Sequence, residues 1–454
     1  MTTFEARIEL LPGTVAPDVY DPSQGRIPLD DFVVSRFRDG SPASYYGDLS
    51  WNRTPYDPDG RTRFLHFTYW DHGDLTPQRD ELTREIRWMM FLLIYLRRSD
   101  ALSNSSLEGY LVALRRLARL CEAGGVRLQD ALADPALMTG CAENAAHLSS
   151  IMATVVTFLR SLGREQVGFE AAGKSADAAL KAIYRKWCDN SKQYAPIPTR
   201  IYSMILSVLS DEIEAFEDAA DRLLRVYQDC RHDPLLGREA SRQQVIRKRM
   251  NLTEGAVRPR LASLLPEYGL DEFFAARGTA PTLHGLSSLF REALLIASLQ
   301  IQAFTGMRHN EVMALPFNCL ETIERDGRPH HIIKGRITKL TKGKVKRTQW
   351  VTSEAGRRAV LLAQRFAEAV YLASGVTPSR DASQPSPGFL FISSQLVASR
   401  PELVATNLHL NEFVDLRARL QPAITDADLC ELEQIDPHRA WRSEEAFQAG
   451  RPWT

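Results

Sequence analysis

The 454-residue sequence predicts a mainly α-helical protein with a small β-hairpin or sheet in its C-terminal domain, an α+β fold. Three observations point there. From Asp80 onward apolar residues recur at helical spacing in segment after segment, Gly and Pro signals mark the ends of those segments, and between His330 and Thr352 the pattern changes to alternating β-branched and basic residues. A composition 44% hydrophobic and 25% charged is that of a globular chain able to bury a core, and the length suits two to four domains.

Residues 1–79 read as an aromatic-rich arm or small β-containing module. Ten Phe, Tyr or Trp fall between Phe32 and Trp70, too many for wholesale disorder. Packing on a neighbouring domain is the first reading of these rings, and base stacking the second. Residues 80–190 read as a helical domain. Ser105 and Glu108 fit a capping box, and Leu107, Tyr110, Leu111, Leu114, Leu117 and Cys121 keep one face apolar until Gly124-Gly125. Leu148 to Leu162, stopped by Gly163, and the segment with Ala179, Leu180, Ile183 and Trp187 add further helices.

Residues 191–281 read as a helical connector. Pro196 and Pro198 break the pattern, a long helix is expected from Arg200 to Cys230, and Arg238 to Arg260 carries seven Lys/Arg against two acids, among them Arg247, Lys248 and Arg249. Arg277 to Pro281 reads as a linker to the last domain, residues 282–454. There Leu289, Phe290, Ala293, Leu294, Ala297, Ile301 and Phe304 form the buried face of a helix over 286–304, and Thr305-Gly306 turns the chain into a second helix near Arg308. A hairpin around Lys342-Gly343-Lys344, a helix from Ser353 to Leu372, a short strand Phe389–Ile392 and a helix from Asn407 to Leu420 complete it.

The longest apolar run, Trp88 to Leu96, is far below the roughly 20 residues needed to span a bilayer, and no signal pattern opens the chain, so a cytoplasmic protein with no membrane partner is expected. Six cysteines without C-x-x-C spacing indicate neither a metal site nor a disulfide framework, and read as reduced and structural. Formal net charge is zero, but Lys334 to Trp350 holds seven Lys/Arg and no acid, while Asp211, Glu212, Glu214, Glu217 and Asp218 restore the balance elsewhere. Such a basic block points to phosphate.

An arginine on a turn and a lysine on a hairpin together suit metal-free phosphoryl transfer: guanidinium forks two phosphate oxygens, and an ammonium can protonate a leaving alkoxide. Thr305-Gly306-Met307-Arg308-x-x-Glu311-x-x-x-Leu315 resembles the first arginine box of the tyrosine recombinases, or phage integrases, and Lys342-Gly343-Lys344 resembles their catalytic-lysine turn. The resemblance covers roughly residues 80–454, its specific motifs lying between 305 and 352. It implies a helical core-binding domain followed by a catalytic domain, the two clasping double-stranded DNA. It also implies site-specific breakage and rejoining through a 3′ phosphotyrosyl link, no cofactor, metal or small-molecule substrate, a tetramer on DNA and association with the nucleoid. Arg308 would clamp the scissile phosphate, Glu311 would support it, and Lys342 would be the general acid, with Lys344 and Lys339 as alternatives. Arg336, Lys339, Lys344, Lys346, Arg347, Arg247, Lys248 and Arg249 would contact DNA. Simpler readings stand beside these: an Arg308–Glu311 surface pair, a hairpin edge protected by lysines, and His309 as an exposed turn residue.

The chain departs from the family pattern downstream. The last tyrosine, Tyr371, precedes any second box and lies on a core-type helix face, so no nucleophile is assigned. His409 has Glu412 where an arginine belongs, and His438 and Arg442 are four apart, not three, leaving them weak candidates for the His-x-x-Arg box. The expectation is a recombinase with a partial catalytic domain, either cut short or a non-catalytic DNA-binding remnant, with apolar surface left open on the 286–304 helix. A purely structural helical interaction protein is the third reading.

Overall fold

The computed structural model describes the chain except for residues 1–2, 9, 11–12, 58–61, 98–101, 191–193, 253–254, 338–345, 385, 387, 393–407 and 454. Helices dominate and strands are confined to small antiparallel sheets, as the sequence predicts. One compact unit ends at Tyr194 and a second begins at Ala195. The four sequence segments thus condense into two, because the arm shares a core with the helices after it and the connector shares one with the C-terminal segment.

In the first unit, two-stranded sheets pair β1 (Val33–Arg36) with β2 (Pro42–Tyr45) and β3 (Ser50–Asn52) with β4 (Phe64–His66). Helices α1 (Pro77–Tyr95), α2 (Asn104–Gly124), α3 (Leu128–Ala133), α4 (Pro135–Glu143), α5 (Ser149–Leu162), α6 (Arg164–Val167) and α7 (Lys174–Asn190) follow. The apolar run Trp88–Leu96 is buried throughout, which makes the end of α1 a central helix. Its Phe91 meets Tyr20 at 5.0 Å and Tyr46 at 5.6 Å, both edge-on. Tyr46, Trp51, Tyr56, Phe67 and Tyr69 are buried, so half of the ten rings between Phe32 and Trp70 are core and cannot stack on bases, whereas Phe37, Tyr45 and Phe64 are exposed. Helix α2 starts earlier than expected: Ser103, not Ser105, is its cap, accepting from the Ser106 amide at 3.2 Å.

The second unit contains α8 (Thr199–His232), α9 (Ala240–Arg249), α10 (Leu261–Leu264), α11 (Asp271–Ala276), α12 (Leu283–Thr305) and α13 (His309–Met313). The sheet β5 (Leu320–Arg325), β6 (Arg328–Ile337) and β7 (Lys346–Thr352) comes next, then α14 (Glu354–Leu372), α15 (Val414–Arg419) and α16 (Asp426–Ile435). Helix α12 packs on both α8 and α14. Phe290 lies 4.8 Å from the Tyr227 ring of α8 and 4.7 Å from Phe366 of α14, and Leu289, Ala293, Ala297 and Ile301 are fully buried. The expected open apolar face on this helix is therefore absent: α8, drawn from the presumed connector, covers it. Arg277 also departs from its linker reading, being buried beside α8 and α12.

Phe389–Ile392 form no continuous strand, only isolated bridges at Phe389, paired with Pro316, and at Ile392, and the helix expected over 407–420 is reduced to α15 after a turn at Leu410–Glu412. The segment from Ile424 to Trp453 closes on the start of α8, where Ile201 joins Ile424, Leu429, Leu432, Trp441 and Trp453 in a small second core. Burial pushes the Asp428 carboxyl upward, but the Arg200 guanidinium and the Thr425 hydroxyl and amide that donate to it together outweigh this and hold it below the ordinary carboxylate range. Cys121, Cys141, Cys230 and Cys319 are buried, whereas Cys188 and Cys430 are exposed and not structural in that sense. Among the described residues no helix is long and apolar enough to cross a membrane.

Candidate nucleic-acid interface

Helix α12 ends where Thr305 turns its hydroxyl back to the Ile301 carbonyl, 2.6 Å, and Gly306 enters the left-handed region at φ +69°, a conformation natural to glycine. Met307 then points inward and is buried, so Arg308, extended at φ −71° and ψ 150°, points outward. The Glu311 carboxylate, one turn into α13, accepts the Arg308 backbone N–H at 2.8 Å and its Nη1 at 2.9 Å. Glu311 is nearly buried while the Arg308 side chain is 55% exposed. The carboxylate fixes one edge of the guanidinium, and the rest remains solvent-facing. The Arg308–Glu311 pair anticipated as the simpler reading is thus present, and it orients the arginine without enclosing it. His309 is exposed, as expected, but it is the first residue of α13 rather than part of the turn.

Helix α13 packs on β6, where Gly335 leaves room for Leu315 and Trp350: a Cβ there would stand 3.0 Å from the leucine and 3.1 Å from the indole. Residues of β6 and β7 alternate faces. Ile333 and Trp350 share the inner one; Arg336 and Arg347, directly paired in register, share the other. Like charges opposite one another are unfavourable, and here they concentrate positive potential toward the end of the strand pair. Arg336 lies over the Phe389 ring at 5.8 Å and Arg347 is exposed. Lys346, also exposed, pairs in register with Ile337. Lys334 is neutralised by Glu321 of β5 at 2.8 Å, a pairing that sequence reasoning misses because β5 itself is not evident in the sequence. Lys339, Lys342 and Lys344 lie outside the described residues.

A second basic group stands on α9. Gln243, 1% exposed, donates to the Arg238 and Arg258 carbonyls, each at 2.8 Å, and accepts from the Arg258 amide at 2.9 Å, pinning the helix to the strand of chain that returns past it. This fixes the last turn of α9, where Lys248 and Arg249 are exposed and Arg247 holds the Ala256 carbonyl at 2.8 Å.

The weaker candidates take other roles. Arg442 is bound to Asp426 at 2.8 Å and Glu433 at 2.9 Å, so α16 absorbs its charge. The His438 amide turns onto the Asp436 carboxylate at 3.2 Å. Neither arrangement makes an open phosphate fork. Glu412 pairs with Arg291 of α12. Tyr371 is fully buried and its hydroxyl donates to the Phe389 carbonyl at 2.8 Å, while burial pushes its pKa upward, the reverse of what a nucleophile needs. Among the described residues no group of three or more His, Cys, Asp or Glu is arranged to hold a metal ion. Compared with models of known protein families and with curated protein sequences, the chain matches none.

Proposed function

We propose that this chain binds double-stranded DNA as the phosphate-clamping part of a tyrosine-recombinase site, with Arg308 on the scissile phosphate, Arg336, Lys346 and Arg347 along the backbone, and Lys342 as the general acid. The observation that carries the reading is Arg308: an exposed guanidinium oriented by a nearly buried carboxylate, beside a sheet whose arginines face each other in register. A bidentate fork held this way can stabilise charge developing on a phosphoryl group. Strand cleavage needs a tyrosine that none of the residues after Tyr371 supplies. Self-association on DNA belongs to the same proposal.

Fluorescence anisotropy with a labelled duplex, titrated between about 50 and 200 mM salt, tests it. Affinity is expected to fall steeply with salt, Arg308→Ala to reduce the slope of log K against log salt by about 0.9, and Arg347→Gln to do the same. Absent or salt-indifferent binding would leave only the structural reading, and an unchanged slope in Arg308→Ala would remove the clamp. The closed cover on α12 and the buried Tyr371 favour a second reading, a non-catalytic DNA-binding protein on the same fold. Extending the chain with a C-terminal segment that carries His-x-x-Arg and a tyrosine separates the two: only under the first reading does a nicked duplex then yield a covalent protein–DNA adduct on a denaturing gel.

A further inference from the structure

The two edges of the β5, β6, β7 sheet are guarded differently. An unpaired edge strand is a template for another chain unless charge, proline or a bulge blocks it. Edge strand β7 opens with Lys346 and Arg347, charges of one sign that repel a copy of themselves, and the strand packs on α12. Edge strand β5 lacks these guards. Leu320 to Arg325 contain no proline, keep an unbroken register with β6 and, among the described residues, have no strand on their outer side.

The register with β6 fixes which backbone groups of β5 are open. The Lys334 N–H donates to the Cys319 carbonyl at 2.7 Å, so Ile332 and His330, two and four residues before it, also turn their backbone groups toward β5, onto their partners Glu321 and Ile323. Leu320, Thr322 and Glu324 therefore turn N–H and C=O groups to the outer edge. Side chains alternate between faces, which puts Glu321, Ile323 and Arg325 together on one of them. Ile323 is 38% exposed, and Arg325 is exposed with no ion-pair partner among the described residues. Glu321 accepts Lys334 on Oε1 at 2.8 Å, and among the described residues its Oε2 takes no bond.

We propose that β5 is a dimerisation strand, pairing antiparallel with β5 of a second copy of this chain about a two-fold axis at Ile323. In that register the segment is complementary to itself. Ile323 meets Ile323 of the partner copy in a non-hydrogen-bonded pair, where side chains approach most closely. On either side of it Glu321 of one copy faces Arg325 of the other, a favourable cross-strand pair. Thr322 and Glu324, which carry the outward backbone groups, fall opposite each other and exchange N–H···O=C bonds. An axis at Thr322 or at Glu324 loses both ion pairs. The two-fold consumes β5 while β7 stays guarded, so the assembly closes as a dimer and does not grow into a fibre. Six residues a side are far fewer than the roughly 20–30 of a standard interface, so the dimer is weak. It needs no DNA, uses none of the residues assigned to DNA, and does not rest on the DNA-binding reading.

Sedimentation equilibrium of the full chain without DNA, from about 5 to about 500 µM, is expected to show a monomer–dimer equilibrium and no larger species. Arg325→Glu alone and Glu321→Arg alone each set like charges opposite one another, and each is expected to weaken dimerisation about tenfold or more. Mixed in equal amounts, the two variants set opposite charges together at both positions. The dimer is then expected to return, which also shows that both variants fold. Glu324→Pro removes an outward N–H from an edge strand, where proline is tolerated, and is expected to be monomeric with its thermal unfolding unchanged. Arg308→Ala is expected to dimerise like the native chain, so this proposal and the DNA reading fail separately. A native chain that stays monomeric, single variants that dimerise as it does, or a mixture that does not recover overturns the proposal. A dimer that survives Glu324→Pro overturns it too, by placing the interface elsewhere.

Discussion

The two ends of α12 handle an arginine in opposite ways. Just ahead of its first turn, Arg277 lies against both the Phe216 and Phe273 rings, themselves packed edge-on, at 4.2 and 4.6 Å, with Glu212 at 2.7 Å and Glu292 at 3.1 Å, and its side chain is 9% exposed. Just past its last turn, Arg308 has one carboxylate at 2.9 Å and is mostly in solvent. Both guanidinium groups are oriented by acids from nearby elements. The difference is how much of each is covered: Arg277 is closed on all sides and serves the fold, whereas Arg308 is held at one edge and presents the other. An arginine suited to an external phosphate is recognised by this partial coverage rather than by the presence or absence of a partner.

Truncating the enclosed arginine is the most severe way to probe that contrast. Arg277→Ala leaves Glu212 and Glu292 buried, with only Arg419 still reaching Glu212. Removing one partner of a buried ion pair typically costs about 3–5 kcal/mol, and the lost contact with the two rings adds to it. Urea unfolding is expected to show a loss in that range, with the DNA affinity of the remaining folded protein unaltered. A loss below about 1 kcal/mol, the value of an exposed pair, would mean that Arg277 is no more embedded than Arg308.

Glu292 sharpens the comparison through pH. Burial raises its carboxyl above the ordinary value of about 4.5, against the lowering effect of Arg277 and Arg419, with Glu212 pushing the same way as burial. The folded state therefore holds this proton to higher pH than the unfolded chain does. The resulting stability is fully present below the ordinary value and is lost as pH rises from there through the raised folded value, beyond which it is constant. The stability of the native chain minus that of Glu292→Gln is expected to fall across this window and then level. A difference that stays flat from pH 4 upward would show that Arg277 fully offsets the burial.

The same two sites show what a sequence reveals. Gly306 after a long apolar face marks the end of α12 and exposes Arg308 by local geometry alone, and the periodic surroundings of Tyr371 mark it as core. Arg277 hides because Arg-Gly-Thr-Ala-Pro has linker composition, and its partner Glu212 stands 65 residues away. The cover on α12 is equally non-local, coming from a helix that by sequence belongs to the preceding segment. Strand β5 is a different failure. Asp326 and Gly327 have φ of 53° and 70°, the Asp-Gly hairpin turn that joins β5 to β6. Yet Leu-Glu-Thr-Ile-Glu-Arg is mostly exposed and does not alternate in hydrophobicity, so the strand ahead of the turn escapes a periodicity argument. His438 and Arg442 resemble half of a recombinase box only until Asp426 and Glu433, 16 and 9 residues upstream, fold back onto the arginine.

The smallest expected effect belongs to the exposed end. In Arg308→Ala the Glu311 carboxylate keeps the backbone N–H of residue 308, which closes the first turn of α13, and loses only a solvent-exposed guanidinium. Exposed pairs contribute about 0.2–1 kcal/mol, so thermal unfolding is expected to shift within that range while DNA binding weakens. Glu311→Gln complements it: an amide oxygen can still accept the backbone N–H, but the charge that orients Arg308 is gone, so the arginine remains and its direction does not. Weaker DNA binding in Glu311→Gln with stability largely kept would show that orientation, not charge alone, matters at this end. A stability loss of 3 kcal/mol or more in Arg308→Ala, comparable with Arg277→Ala, would erase the contrast and make both arginines part of the fold.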